Sequence, residues 1–228
     1  MRHVLQGVMT NKTQNLEYRI FYKRYLPHIQ PPGSTLFVTY RLHGSIPAEL
    51  LAMLQAEAVA NEQALARTAD PQQRVQEAYL FQRRMFARWD KALDNPTSGP
   101  YWLGDGRIAQ IVADSLHQLH NQLYDLDTYC IMSNHGHVLF TPLPNDEKPG
   151  TYFSISKIMH THKRITAILA NRVLKRTGQF WQHENYDHYV RNQAERNRIR
   201  SYILQNPVKA GLVENWEDWP WAYTSYEL

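Results

Sequence analysis

The sequence predicts an α+β fold, because segments of strand character and segments of helical periodicity both occur along the 228 residues. The clearest strand pair spans residues 126–132 and 137–142, with a polar break at Ser133-Asn134 between the two strands. The clearest helix spans residues 106–122, where apolar side chains recur with a period of about 3.6 residues. With 43% hydrophobic and 20% charged residues, the chain can bury a core.

The elements before that helix are predicted from composition. Residues 34–42 are rich in β-branched and aromatic side chains and are predicted to form the first strand. Residues 47–68 and 71–93 are rich in helix-forming residues and are predicted to form two helices. Because this helix pair separates a strand from the helix that would usually follow it, we interpret residues 47–104 as an insertion.

The elements after the strand pair are predicted in the same way. A long amphipathic helix is expected over residues 153–175, followed by an extended, aromatic-rich segment over 179–191. A further helix is expected to begin after Asn192, in a capping sequence, and to end near Pro207. The tryptophan-rich tail, residues 216–226, is predicted to pack on the core as an aromatic lid.

Basic residues are concentrated in one segment. Between Lys157 and Lys209 there are 11 Lys or Arg residues against three Asp or Glu residues, although the net charge of the chain is only +4. This pattern indicates a polyanionic partner such as nucleic acid, and a solvated helix surface is the alternative. An aromatic and basic arm at residues 18–25 could stack on single-stranded nucleic acid or lie across the core.

Several classes of protein are disfavoured. Cys130 is the only cysteine, which excludes a disulfide framework and a thiolate zinc cage and is typical of a reducing cytoplasm. No apolar run is long enough for a membrane span, and no secretory signal pattern opens the chain. Phosphate-binding glycine loops and the usual serine hydrolase and zinc protease motifs are also missing.

Two histidines stand one residue apart where the second strand of the pair begins. Because alternate residues of a strand point to the same face, His135 and His137 are expected to present their imidazoles side by side. Such a pair can hold a metal ion and leave positions for oxygen ligands and a substrate. A polar surface pair is the alternative interpretation of these two residues alone.

The stretch Met132-Ser-Asn-His-Gly-His-Val-Leu139 resembles the HUH signature of single-tyrosine transposases, which is a histidine, a bulky apolar residue and a second histidine. Other motifs resemble the REP-associated tyrosine transposases of that superfamily: residues 26–28, 31–33, 178–182, 186–191, 202–211 and 218–221. The resemblance covers the chain except for about residues 47–104. Gly136 departs from the bulky middle position, so either the histidine pair is less rigid or a neighbour fills the gap.

The resemblance implies a fold, a cofactor and a chemistry. The fold is an antiparallel sheet flanked by helices, here with a helical insertion after the first strand. Tyr202 would be the catalytic nucleophile, and His135, His137 and Asn206 would hold Mg²⁺ or Mn²⁺. Asn206 follows Tyr202 by four residues and therefore shares its helical face. The phenol would attack a phosphate of single-stranded DNA, form a 5′-phosphotyrosine and release a 3′-hydroxyl. Tyr186 and Tyr189 are competing nucleophile candidates.

The implied partner is a palindromic repeat hairpin of DNA, bound through phosphate contacts and aromatic stacking. The residues expected to contact it are Arg164, Trp181, Tyr186, Arg191, Arg196, Arg198, Arg200 and Lys209. The arginines near Tyr202 are also expected to assist its ionisation. A non-catalytic hairpin-binding regulator on the same fold is the alternative, and a metal hydrolase unrelated to DNA is disfavoured by the basic segment. Both a monomer and a dimer remain compatible with the sequence.

Overall fold

The structure, a computed structural model, describes residues 31–94 and 99–226. The predicted arm at residues 18–25 and the motif at residues 26–28 lie outside the described residues. The strands are β1 (Leu36–Arg41), β2 (Tyr124–Ile131), β3 (His135–Pro142), β4 (Tyr186–Tyr189) and β5 (Ala222–Thr224). The helices are α1 (Ala48–Arg67), α2 (Pro71–Asp94), α3 (Gly106–Leu119), α4 (Ile155–Val173), α5 (Gln193–Leu204) and α6 (Asn206–Lys209), with short 3₁₀ turns at Trp102–Gly104 and Trp216–Asp218.

The five strands form one antiparallel sheet in the order β4-β1-β3-β2-β5. This arrangement, with helices on both faces, confirms the predicted fold class. The sequence analysis did not anticipate β5, because Pro220 and the tryptophans of the tail indicated irregular packing rather than a strand. In the structure the residues after Pro220 pair with β2 and cover the edge of the sheet.

One face of the sheet is covered by α3 and α4. The period of the apolar residues in α3 places Ile108, Val112 and Leu116 against the sheet, where each is at most 2% exposed. Asp105 begins this helix, and its carboxylate accepts a hydrogen bond from the Arg107 amide at 3.0 Å. These contacts form the larger of the two cores that line the sheet.

The opposite face is covered by α5 and by α2. Phe37 of β1 and Leu139 of β3 pack here against Ile203 of α5, and Phe86 of α2 completes the cluster. Odd-numbered positions of β1 and β3 therefore face α5 and α2. This alternation directs His135 and His137 to the side of the sheet that is covered by α5, the helix that carries Tyr202.

A β-bulge anchors α5 to the sheet. The register of β2 against β3 shifts between Leu126 and Thr128, so Asp127 is an additional residue in β2. Its carboxylate accepts hydrogen bonds from Arg200 at 2.7 and 2.8 Å and from Arg196 at 2.6 Å. The ion pairs fix the rotation of α5 about its own axis, and thereby the direction in which Tyr202 points.

The two helices predicted for the insertion are both present and pack on each other through Leu54, Ala58, Phe81 and Met85. Among the described residues, no helix combines the length and apolar character that crossing a membrane requires.

Candidate metal and nucleophile site

The two imidazoles converge as their spacing predicts. The Nε2 atoms of His135 and His137 lie 3.1 Å apart, and neither residue is more than 1% exposed. Phe37 of the neighbouring strand stacks on the His137 ring with their centroids 5.7 Å apart. The pair is thus held on a rigid element and is closed to solvent.

Neighbouring polar groups fix the orientation of both rings. The Asn134 amide nitrogen donates to the Leu93 carbonyl at 3.1 Å, so the amide oxygen faces His135 Nδ1 at 2.6 Å and accepts its hydrogen. His135 Nε2 then carries the lone pair that a metal ligand requires. Thr39 Oγ1 lies 2.8 Å from His137 Nδ1 and can hold that ring in the same tautomer.

Both imidazoles are neutral. Burial lowers the pKa of His135 to about 3. Burial, followed by the proximity of His135 and of the Lys209 ammonium, holds the pKa of His137 well below its usual value. A neutral imidazole is the form that binds metal, so no proton has to be displaced from the free Nε2 atoms.

Tyr202 lies in the last turn of α5 and faces the histidines. Its ring meets the edge of His137 with the centroids 5.4 Å apart, and its hydroxyl donates a hydrogen bond to the Asp90 carboxylate. The Lys209 ammonium lies 4.7 Å from the centre of the tyrosine ring. Burial and the Asp90 charge both raise the pKa of Tyr202. The phenol is therefore protonated in this conformation.

Asn206 joins the same group of side chains from the first residue of α6. Its amide nitrogen donates to the Tyr202 carbonyl at 2.9 Å. Burial lowers the pKa of His137 and raises the pKa of Tyr202. In each case a hydrogen-bonding interaction with the Asn206 side chain shifts the pKa in the opposite direction. Asn206 is only 2% exposed. The structure thus brings together all four residues that were predicted for nucleophile and metal binding.

Asp90 is a fifth member of the site that the sequence analysis missed. It belongs to α2, and its Oδ1 lies 3.7 Å from His137 Nε2. Burial raises the pKa of Asp90 to about 6, against the opposing effects of the Tyr202 hydrogen bond and Lys209. The sequence did contain a signal for Asp90. It lies four residues after Phe86 and three before Leu93, so its carboxylate falls on the apolar face of the helix.

The residues present fit a divalent cation. One ligand atom each from Asp90, His135 and His137 lie within 4.8 Å of one another. Two Nε2 atoms 3.1 Å apart beside a partly buried carboxylate form a set that a bound cation would stabilise electrostatically. The Asn206 amide offers a further oxygen. A mixed set of imidazole, carboxylate and amide donors leaves the choice among divalent ions open.

Gly136, the departure from the HUH pattern, is explained by Tyr40. Tyr40 lies opposite Gly136 in the register of β1 and β3. A Cβ atom at position 136 would stand 2.7 Å from Tyr40 Cζ and 2.8 Å from its hydroxyl. The tyrosine ring therefore occupies the space beside the glycine, on the face away from the histidines. Of the two expectations for Gly136, the structure therefore agrees with the one in which a neighbouring side chain fills the space.

We expect Gly136→Ala to lower the free energy of unfolding by about 1–3 kcal/mol, because Tyr40 is buried against Trp181 and His162 and has no room to yield. Chemical denaturation would measure the change. Gly104→Ala is the control, since its Cβ would meet only Ser133 Cβ, at an ordinary 3.8 Å. An equal loss in both variants would contradict the role of Tyr40.

Several residues predicted to contact DNA instead have internal partners. The Trp181 indole nitrogen donates to Thr166 at 2.8 Å, and only 5% of Trp181 is exposed. Tyr186 packs against Phe86 of α2, with ring centroids 4.4 Å apart. Burial of these aromatic surfaces removes them from base stacking in this conformation, because they are part of the core that the strands bring together.

The arginines of α5 also differ from expectation. Arg196 and Arg200 bind Asp127, and Arg200 is 5% exposed, so the electrostatic support expected near Tyr202 comes from Lys209 instead. The remaining predicted DNA contacts are exposed: Arg164, Arg191, Arg198 and Lys209. Among these, Arg191 stacks on the Tyr79 ring at 3.5 Å.

Comparison with known proteins supports the motif analysis. Residues 105–206 match the family described as Transposase IS200 like, a segment that begins at the cap of α3 and ends at Asn206. A curated relative from Haemophilus influenzae, provisionally named a REP-associated tyrosine transposase, is 30% identical over 96 residues. These residues are 41% of this chain and 54% of the relative, so the match spans about half the length of that protein.

A solved structure described as a REP-associated tyrosine transposase bound to a REP hairpin aligns with a TM-score of 0.48 and 16% identity, over 89% of this chain and 81% of its own. The family and sequence matches confirm the resemblance to tyrosine transposases that the motifs indicated.

Proposed function

We propose that this protein, whose residues 105–206 match the IS200-like transposase family, cleaves and rejoins single-stranded DNA at a palindromic repeat hairpin. The observation that carries the proposal is the convergence of the Tyr202 phenol on two neutral imidazoles and the Asn206 amide. These groups come from two distant segments of the chain. A packing role alone does not require the ring nitrogens to face each other.

His135 and His137, with Asn206 and Asp90 as candidate oxygen donors, would hold a divalent cation such as Mg²⁺ or Mn²⁺. When bound, the cation would supply Lewis-acid polarisation of the scissile phosphate. Asn134 would keep the His135 ring oriented for that purpose.

The chain's own groups account for the covalent steps. A bond forms between the Tyr202 oxygen and phosphorus while the bond from phosphorus to the 3′ oxygen breaks. The phenolic proton passes to water, and the departing 3′ oxygen takes up a proton from water to become a hydroxyl. The Lys209 ammonium is near enough to the ring to stabilise the phenolate that develops. Attack by another 3′-hydroxyl on the phosphotyrosine reverses the reaction and joins strands without a nucleotide.

A second function deserves a test because the site is closed. Both imidazoles are buried beneath α2, which favours a hairpin-binding regulator that does not cut DNA if α2 never moves. Exposed basic residues such as Arg164 and Arg198 would serve either function through phosphate contacts. The two functions differ only in whether a phosphate reaches Tyr202.

Incubation of labelled hairpin DNA with Mg²⁺ or Mn²⁺ distinguishes the two. We expect cleavage by the wild type and at least about a 100-fold loss in His137→Ala, because outer-shell changes at metal sites alone commonly reduce activity by 10–100-fold. Hairpin binding should persist. His160→Ala, an exposed histidine of α4, is the matched control. Tight binding without cleavage by the wild type in either metal would favour the regulator.

A further inference from the structure

The insertion covers the groups that the proposed chemistry requires. The two imidazoles are at most 1% exposed, and the Tyr202 hydroxyl is hydrogen-bonded to α2. A DNA phosphate has to reach the phenol oxygen for the phosphotyrosine bond to form. The conformation in which α2 contacts Tyr202 is therefore a closed one.

Besides the packing of Phe86 on Phe37, Tyr186 and Tyr202, three polar or cation–π contacts hold the C-terminal part of α2 to the body. The Asp90 carboxylate accepts the hydrogen of the Tyr202 hydroxyl. Three residues after Asp90, the Leu93 carbonyl accepts a hydrogen bond from Asn134, the residue that also orients His135. Trp89 lies over the Arg41 guanidinium at 5.1 Å. Two of these contacts thus involve the nucleophile or a neighbour of a metal ligand.

Two glycines bring the ends of the helix pair together beside the sheet. Gly44 and Gly99 stand at the two ends of the insertion, both with positive φ, of 80° and 119°. A Cβ on Gly99 would lie only 2.7 Å from the Gly44 carbonyl oxygen, so the ends meet backbone to backbone. Just outside them, the amides of Leu42 and Leu103 bind the carbonyls of Asn134 and Ser133. Leu42 and Leu103 are therefore fixed to the sheet by backbone hydrogen bonds, and α1 and α2 lie outside this fixed base.

The interface between α2 and the sheet contains several buried polar atoms without hydrogen-bond partners, which is unusual for a permanently closed core. Within the described residues, Trp89 Nε1, Asp94 Oδ1, and Nε and one terminal nitrogen of Arg41 are buried without a hydrogen-bond partner. Each such group costs free energy relative to the hydrated state. Opening would return these groups to water, which offsets part of the free energy lost when the apolar side chains beneath α2 are exposed.

We propose that α1 and α2 form a lid that closes the nucleophile site, with the Asp90–Tyr202 hydrogen bond as its latch, and that the hairpin DNA substrate displaces it. The role given to the lid rests on the proposed function, because it assumes that Tyr202 cleaves DNA. The closure of the lid over the site does not depend on that activity. In the closed state the Tyr202 hydroxyl is protonated and hydrogen-bonded to Asp90, so it cannot act as a nucleophile. Opening uncovers Arg41 and Tyr186 beside the site, a cation and an aromatic ring suited to a phosphate and a base.

Chemical modification of the two imidazoles tests the latch without DNA. Diethyl pyrocarbonate, added with EDTA, reacts with neutral accessible histidines, and peptide mass spectrometry would give the rates at His135 and His137. We expect Asp90→Ala to raise both rates about tenfold or more, the effect of losing a charged hydrogen bond. Tyr202→Phe removes the same bond from the other side and should act alike. The double variant should add little to either single change.

The controls separate a lid from general unfolding. Arg84→Ala removes an exposed side chain of α2 and should leave both rates unchanged. Hydrogen exchange should rise in α2 of the Asp90 variant while β1 and β3 stay protected. Unchanged modification rates in both latch variants, or exchange that rises equally in β1 and β3, would overturn the lid. Because neither measurement involves DNA, loss of the proposed cleavage activity would be a separate result.

Discussion

Replacing Tyr202 by phenylalanine is expected to reduce DNA cleavage by more than about a thousandfold without weakening hairpin binding. The substitution removes only the hydroxyl. The ring would keep its contacts with Phe37 and Phe86, at centroid distances of 5.9 and 5.7 Å. The loss should therefore lie in the covalent step, and an SDS-resistant adduct with labelled hairpin DNA would measure it.

The competing tyrosines provide the control. Tyr186→Phe and Tyr189→Phe should both retain the adduct, because Tyr186 is packed against Phe86 and neither residue contacts the histidine pair in this structure. Peptide mapping of the wild-type adduct would locate the modified side chain. A phosphotyrosine that persists in Tyr202→Phe would contradict the assignment of the nucleophile, even if cleavage is slower.

Replacing Asp127 by alanine is expected to lower the free energy of unfolding by about 3–5 kcal/mol. The change leaves the guanidinium of Arg200, which is 5% exposed, without its buried counter-ion. It also frees Arg196, so α5 would lose its attachment to the bulge in β2. Urea denaturation followed by fluorescence would measure the difference.

Asp125→Ala is the matched control, because the Asp125 side chain lies on the same strand but is 66% exposed, and we expect it to change stability by less than about 0.5 kcal/mol. A similar loss in both variants would contradict the anchoring role of Asp127. Burial alone would raise the pKa of Asp127, but hydrogen bonds from Arg200, Thr128 and Arg196 outweigh it and lower the pKa. The ion pairs therefore stabilise the fold above the unfolded pKa of about 4, and the difference from Asp127→Ala should shrink as the pH falls through the folded value.

Local sequence rules predicted most elements near the site. The alternation of strand residues placed His135 and His137 on one face, and the helical period placed Asn206 beside Tyr202. Both relations are set by backbone geometry over a few residues. They hold in the structure, where His135 and His137 share the face covered by α5.

The functions of charged and aromatic side chains were less predictable. Arg196 and Arg200 were expected to face DNA, but a bulge of one residue in β2 directs Asp127 toward them. A bulge changes which side chains face a helix without leaving a clear periodic signal in the sequence. Trp181 was expected to contact DNA for a related reason: the composition of its segment does not reveal that the indole is buried and donates a hydrogen bond to Thr166.

The sequence by itself determined the strand pair with its two imidazoles, the helix with its phenol and the family to which these motifs are similar, because each depends on residues close together in the chain. Only the tertiary structure decided that Asp90, which lies on α2 and 45 residues before His135, contacts the same site and that α2 covers it. Contacts between distant segments depend on how helices pack across a sheet, and the apolar face of α2 did not specify its partner. The same packing decided that Tyr40 lies beside Gly136 and thereby made a glycine suitable between the two histidines.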